Sequence, residues 1–307
     1  MGRDGGAQAL ETLLHDGWAY HDRDSGRLAR ELESAAGERI APQRLAPFLH
    51  LATHTIGAHL GDWPRALALG QKVLAGHTPD ADTAKAWGRL HVAAALAGDA
   101  VVAADLELSY LKAAGGDVGP AWLDMRFMLA EALAGARRTQ EAGRIYRRAL
   151  DVVDQIRPSP LRDRTIAAAS NNLAQELHEL ALRTPDDDAL MRLAADTSLA
   201  FWLRCGNWIN AERAHNLVAL IANVTGDVEA GLAHADKALA IIAANGERPL
   251  DTALLHLARA VSLTALGDAK GRADAIRDAD AAAAKLAATD LTAQFAAERA
   301  KVADAGL

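Results

Sequence analysis

Apolar residues recur every three or four positions along most of this chain, which is the spacing of one face of an α-helix. The clearest stretch, residues 211–240, contains two such patterns separated by Thr225-Gly226-Asp227. Glycine can adopt the left-handed backbone conformation that ends a helix, and aspartate can cap the helix that follows. The stretch therefore predicts a helical hairpin. Small residues at Gly231 and Ala238, five and twelve positions past the glycine, would allow its helices to pack closely.

The same Gly-Asp dipeptide separates apolar helical segments at three further places, Gly61-Asp62, Gly98-Asp99 and Gly267-Asp268. A fifth copy lacks the glycine: Ala142 and Ala149 match the second half of the hairpin, and this alignment puts Arg137 in the glycine position. Regular recurrence of one supersecondary unit is the signature of a repeat protein. The pattern predicts a chain that is helical almost throughout, and no alternating pattern indicates a β-strand.

One of these hairpins carries a recognisable motif, Trp87-x-x-Leu90-His91-x-x-Ala94 followed by Gly98-Asp99, Ala103 and Tyr110. The motif resembles a tetratricopeptide repeat, and the resemblance extends over about residues 43–284. Two features depart from the family pattern. His54 and His91 occupy positions that the family fills with a very small residue. The spacing between hinge glycines is 37 residues in one repeat and 41 in another, against roughly 34 in the family.

The resemblance implies an all-α fold, a right-handed superhelical solenoid of about six helical hairpins. We predict an atypical N-terminal hairpin over residues 7–36, repeats over about residues 43–284, and a C-terminal capping helix over residues 290–304. Since neighbouring repeats share one continuous core, we expect residues 1–307 to form a single domain. Pro158-Ser159-Pro160 is the best position for a break in it.

Composition and charge narrow the classes of partner and location. The net charge of -7 argues against nucleic acid and against an anionic membrane surface. No stretch approaches the roughly 18 uninterrupted apolar residues of a transmembrane helix, and the N-terminal residues lack the apolar core of a signal peptide. Cys205 is the only cysteine, so no internal disulfide can form. We therefore expect a protein of a reducing compartment, the cytoplasm.

Catalytic and cofactor motifs are absent from the sequence, which has no P-loop, CxxC, HExxH or GxSxG pattern. We therefore expect neither an enzyme nor a bound cofactor. His50 and His54 lie four positions apart, so both rings could reach one metal ion. A tight zinc site needs three or four ligands, and no carboxylate pairs with these histidines at helical spacing, so we predict no metal. The alternative is a small-molecule or metal-binding sensor or enzyme with a histidine-rich groove around His50, His54 and His91.

The tetratricopeptide resemblance also implies where a partner would bind. In that family, first-helix residues beside the apolar stripe line a concave groove, and here these are Asn171, Gln175, His178, Arg213, Asn216 and Asn223. An asparagine amide both donates and accepts hydrogen bonds, so it can hold the backbone of an extended peptide. The leading hypothesis is a protein- or peptide-binding adaptor or scaffold. Polar residues are also ordinary on a half-exposed helix face, and self-association through apolar helix ends near Trp202 and Trp208 is a further alternative.

Overall fold

The computed structural model describes residues 3–304, where every regular element is a helix and no β-strand occurs. Fifteen α-helices follow one another in this range: α1 Arg3–Asp16, α2 Ser25–Ala35, α3 Pro42–Ala52, α4 Trp63–Leu74, α5 Ala84–Leu96, α6 Ala100–Ala114, α7 Val118–Gly135, α8 Thr139–Asp151, α9 Pro160–His178, α10 Pro185–Cys205, α11 Trp208–Val224, α12 Val228–Asn245, α13 Pro249–Ala265, α14 Ala269–Ala283 and α15 Thr289–Asp304. Three short segments of other helical types lie between them, the 3₁₀ turns Gly17–Ala19 and Val153–Gln155 and the π-helix Thr53–His59.

The chain divides into two compact units, which we call the N-terminal unit (Met1–Arg157) and the C-terminal unit (Pro158–Leu307). In the N-terminal unit, α3 pairs with α4 through the π-helix, α5 pairs with α6, and α7 with α8. In the C-terminal unit the pairs are α9 with α10, α11 with α12 and α13 with α14. The predicted all-α fold of six sequential hairpins is confirmed. The prediction that the chain is one domain stays a prediction.

The Gly-Asp hinges have the predicted geometry. Gly226 has a φ of 86°, and the carboxylate of Asp227 accepts a hydrogen bond from the backbone N–H of Ala230. The other three hinges repeat this arrangement of a left-handed glycine followed by an aspartate N-cap. Arg137 occupies the glycine position of the fifth hairpin with a φ of 59°, and it is the one non-glycine residue with positive φ in the described part of the chain.

Both ends of the chain form atypical elements. The N-terminal hairpin predicted over residues 7–36 falls on α1 and α2, and α1 ends at Asp16 and gives way to a 3₁₀ turn. Gly17 in that turn is buried so closely against Leu28 and Leu51 that an added Cβ would collide with them. At the other end, α15 packs two buried side chains onto the core formed by α13 and α14, those of Phe295 and Val302.

No helix between residues 3 and 304 combines the length and the apolar character needed to cross a lipid bilayer.

Candidate functional site

Three of the predicted groove residues lie on α9. Asn171 is half-buried and Gln175 is exposed, and neither side chain forms a hydrogen bond to a described residue. His178 is half-buried at the end of the helix. Burial lowers the pKa of His178, and the guanidinium of Arg183 lowers it further. These side chains therefore present polar groups on α9 that the fold does not already use.

Two further predicted residues lie towards the middle of α11. Asn216 is half-buried, and its amide oxygen Oδ1 is completely buried without a hydrogen-bond donor among the described residues. Arg213 is exposed, and its guanidinium lies 3.5 Å from Asp251 Oδ2 and 3.7 Å from Glu212 Oε1. Both contacts are longer than a strong charge-assisted hydrogen bond. Asn216 thus has an unsatisfied acceptor, and Arg213 is only loosely held.

Asn223, the last predicted groove residue, is used by the fold itself. Its Nδ2 donates a hydrogen bond to the backbone oxygen of Ala258 at 2.9 Å, and its Oδ1 accepts one from the hydroxyl of Ser262 at 2.7 Å. Both bonds join α11 to α13. The amide of Asn223 cannot bind a ligand without breaking them, so Asn223 is not part of the binding surface proposed below.

The sequence reasoning missed Glu212, which adjoins Arg213. Its side chain is fully buried on α11, and neither carboxyl oxygen has a hydrogen-bond donor among the described residues. Burial and repulsion by the carboxylate of Asp251 raise the pKa of Glu212 to about 8, while Arg213 and Arg248 act in the opposite direction. Asp251 is itself bound by Arg248 at 2.7 Å. The surroundings of Glu212 therefore favour its protonated, uncharged form. Glu212 lies seven positions before Ala219 and so on the same face of α11, and Ala219 is buried. This spacing was the signal in the sequence that Glu212 would be buried.

A second cluster of polar side chains lies in the N-terminal unit, where three histidines meet. Ring nitrogens of His21, His54 and His59 all lie within 4.8 Å of one another. The Nε2 atoms of His54 and His59 are 3.1 Å apart. Burial, together with the other two histidines and Arg89, lowers the pKa of His54 to about 4, so its ring is neutral at neutral pH.

The composition of this cluster differs from the predicted histidine-rich groove around His50, His54 and His91. His91 is buried elsewhere in the hairpin of α5 and α6, and its Nδ1 lies 2.8 Å from the backbone oxygen of Ala103. The ring of His50 packs against Trp18 with centroids 5.0 Å apart and lies 6.5 Å from that of His54. His21, which the sequence reasoning did not consider, takes the third position.

A cleft of about 1640 Å³ lies among α1, α2 and α3. Two of its acids are already paired with arginines: Glu11 with Arg44 at 2.5 Å, and Glu31 with Arg27 at 2.8 Å. These two carboxylates are therefore already neutralised within the cleft.

The fold and these side chains define an all-α protein built from repeated helical hairpins. Among solved structures, it is similar to a tetratricopeptide repeat protein from Parabacteroides merdae ATCC 43184, with 15% sequence identity, coverage of 95% of this chain and 99% of that chain, and a TM-score of 0.36. No protein-family model matches the chain. No curated protein matches it either. The assignment to helical repeat proteins therefore rests on its own hairpins and hinges.

Proposed function

We propose that this protein binds an extended segment of another protein on the polar face of α9 and α11, and that it does so without catalysing a reaction. The observation that carries the proposal is a pair of half-buried asparagines, Asn171 and Asn216, at equivalent positions of neighbouring hairpins, whose amides form no hydrogen bond to another described residue. Oδ1 of Asn216 has no accessible surface, so the amide has to rotate to present this oxygen to a ligand. Since an unsatisfied buried acceptor costs about 1–3 kcal/mol, rotation towards a ligand N–H group removes that cost.

An extended polypeptide backbone is the ligand that suits these positions. It presents N–H and C=O groups at regular intervals, and an asparagine amide can accept from one and donate to the other. Asn171 on α9 occupies the position equivalent to Asn216, two residues before the buried Leu173, and its amide is also unbonded within the described chain. Two amides on neighbouring hairpins of one unit could therefore hold one bound strand.

The charged and polar neighbours of the two amides suggest which side chains the ligand carries. Arg213 is exposed and loosely held, so its guanidinium can turn towards a carboxylate of the ligand. Gln175 and His178 add neutral polar groups along α9. We propose an acidic peptide segment as the partner. The single cysteine, Cys205, fits a location in a reducing compartment such as the cytoplasm.

The test begins with selection of peptides from a random display library on the purified full-length chain. The dissociation constant of a selected peptide is then measured for the wild type and for the double variant Asn171→Ala/Asn216→Ala. Loss of two hydrogen bonds of about 1 kcal/mol each would weaken binding by about 30-fold. Circular dichroism establishes that the variant is folded.

The neighbouring Asn172 provides a matched control, because it is an exposed asparagine on the same helix that points in another direction. Asn172→Ala should leave the dissociation constant unchanged. Equal affinity of the wild type and the Asn171/Asn216 double variant for every selected peptide would refute the proposed surface. An equal loss in Asn172→Ala would show that the effect is not specific to this face.

A further inference from the structure

We propose that His21, His54 and His59 form a binding site for a transition metal ion of the kind that imidazole ligates, with Zn²⁺ as the representative ion. The three side chains come from two separate parts of the N-terminal unit, the segment between α1 and α2 and the π-helix between α3 and α4. Three histidine ligands with a fourth position left open is a known arrangement for zinc in proteins.

The distances among the three rings suit a shared ion. One ring nitrogen from each residue lies within 4.8 Å of the other two, and the Nε2 atoms of His54 and His59 are 3.1 Å apart. Two ligands at the usual zinc–nitrogen distance, in tetrahedral geometry, have their nitrogens about 3.3 Å apart. The pair is thus within a few tenths of an ångström of the separation that a zinc ion requires.

The π-helix is what brings His54 and His59 together. On an α-helix, residues five positions apart point about 140° away from each other, because each residue turns the helix by about 100°. In a π-helix the hydrogen bond runs between residues five apart, so these two stack on one face. The backbone N–H of Leu60 makes such a bond to the oxygen of Thr55, at 3.1 Å. π-Helical segments are rare, and they occur frequently at functional sites.

The ring of His21 also forms a hydrogen bond of the kind that metal-ligating histidines usually make, through the nitrogen that does not face the ion. Its Nδ1 lies 2.7 Å from the backbone oxygen of Trp18. A carbonyl oxygen can only accept, so Nδ1 carries the hydrogen and Nε2 keeps a free lone pair. Donation of the second ring N–H to a carbonyl fixes the tautomer and the orientation of a ligand histidine. The Trp18 ring also packs against His21 and His54, with centroid distances of 5.2 and 5.3 Å.

An open side completes the site. His59 is exposed, which leaves solvent access to a fourth ligand position. A water molecule can therefore complete the coordination.

The experiment uses the full-length chain purified without a histidine tag, treated with EDTA and transferred to metal-free buffer. Zn²⁺ is titrated in competition with a chromophoric chelator, and the melting temperature is recorded with and without the ion. We expect one equivalent of Zn²⁺ to bind with a dissociation constant below about 100 μM and to raise the melting temperature. Anomalous diffraction at the zinc edge would locate the ion among the three rings.

Two ligand variants and one control separate a metal site from a packed histidine cluster. His21→Asn and His59→Asn each remove one ligand, and each should weaken binding at least about 100-fold, since loss of an outer contact alone costs 10- to 100-fold. His15→Asn removes an exposed histidine outside the cluster and should change nothing. Failure of Zn²⁺, Cu²⁺ and Ni²⁺ to bind the wild type would overturn the proposal, and so would equal affinities across the three variants. Neither result bears on peptide binding in the C-terminal unit.

Discussion

The hydroxyl of Ser262 on α13 donates a hydrogen bond to Oδ1 of Asn223 on α11, with the oxygens 2.7 Å apart. Gly231 on α12 lies directly against this pair: a Cβ added to Gly231 would stand 2.3 Å from Asn223 Oδ1 and 3.1 Å from Ser262 Oγ. Three helices therefore meet at a polar contact that leaves no space for a methyl group. The small residue that the repeat pattern places five positions after the hinge is required here for a specific polar neighbour.

Substitution of Gly231 by alanine should destabilise the protein by about 1–2 kcal/mol. The added methyl group would displace the Asn223 amide and disrupt two hydrogen bonds, and the gain of about 1 kcal/mol in helix propensity would offset only part of that loss. Urea denaturation followed by circular dichroism measures the difference. Gly26→Ala is the control, because its Cβ would meet only Arg30 Nη1 at 3.7 Å. If both variants are as stable as the wild type, the contact has no such role.

Arg137 adopts a backbone conformation that costs an L-residue about 1–2 kcal/mol and costs glycine nothing. Arg137→Gly should therefore raise the free energy of unfolding by about 0.5–1 kcal/mol, after allowance for the greater freedom of glycine in the unfolded chain. Arg147→Gly, in the exposed interior of α8, should lower it by about 1 kcal/mol. Thermal denaturation of both variants shows whether the free energy of unfolding rises or falls in each. A destabilised Arg137→Gly would mean that the arginine side chain has a role beyond its backbone conformation.

Glu212 should make the stability of the protein depend on pH between about 4.5 and 8. Its pKa in the folded state is raised above the unfolded value, so its contribution is complete at low pH and is lost as pH rises through about 8. Glu212→Gln removes the titrating group, and should be more stable than the wild type by about 1–3 kcal/mol at pH 8, with little difference at pH 4. Melting temperatures across this range test the prediction. The exposed Glu179→Gln serves as the control.

His215 and His234 should contribute to acid sensitivity. Their Nδ1 atoms are 2.9 Å apart, so one ring must accept a hydrogen bond and stay neutral. Burial lowers the pKa of His215 to about 4, and His234 and Lys237 add to this effect. Burial and Lys237 also lower the pKa of His234, although the carboxylates of Asp196 and Asp227 raise it in part.

Because both folded-state pKa values lie below the unfolded value, the unfolded chain takes up more protons and stability falls as pH drops below about 6.5. His234→Gln keeps a hydrogen-bond partner for His215 but cannot titrate. Its stability should fall less steeply between pH 6.5 and 4, by about 1–2 kcal/mol over that range. Urea denaturation at several pH values provides the measurement. Identical slopes for the variant and the wild type would contradict this account of the pair.

The sequence predicted what depends on local signals and missed what depends on tertiary contacts. The Gly-Asp hinges and the unusual position of Arg137 were visible, because a left-handed residue and an N-cap are properties of adjacent positions. Asn171 and Asn216 followed from alignment of one repeat with another. The partner of Glu212 was not visible, because Asp251 belongs to the next hairpin.

The three histidines illustrate the same limit. An α-helical spacing favours His50 with His54, whereas the π-helix puts His59 beside His54 and leaves His50 against Trp18. Nothing in the local pattern announced the π-helix, since the hydrogen bonds of residues 53–59 depend on how this segment meets α4. Gly57 lies so close to the indole of Trp63 there that an added Cβ would be 2.4 Å from Cε3.

The π-helix also bears on how this histidine cluster would be recognised in related chains. Loss of one residue between His54 and His59 would return the segment to an α-helical register and leave the two histidines four positions apart, only about 40° from each other on one face. The pair would therefore survive such a deletion, whereas an α-helix with the present spacing of five would turn His59 about 140° away from His54. In evolutionary terms, histidines four apart on an α-helix and five apart on a π-helix form equivalent pairs, so a comparison of homologues has to allow for one inserted codon between them.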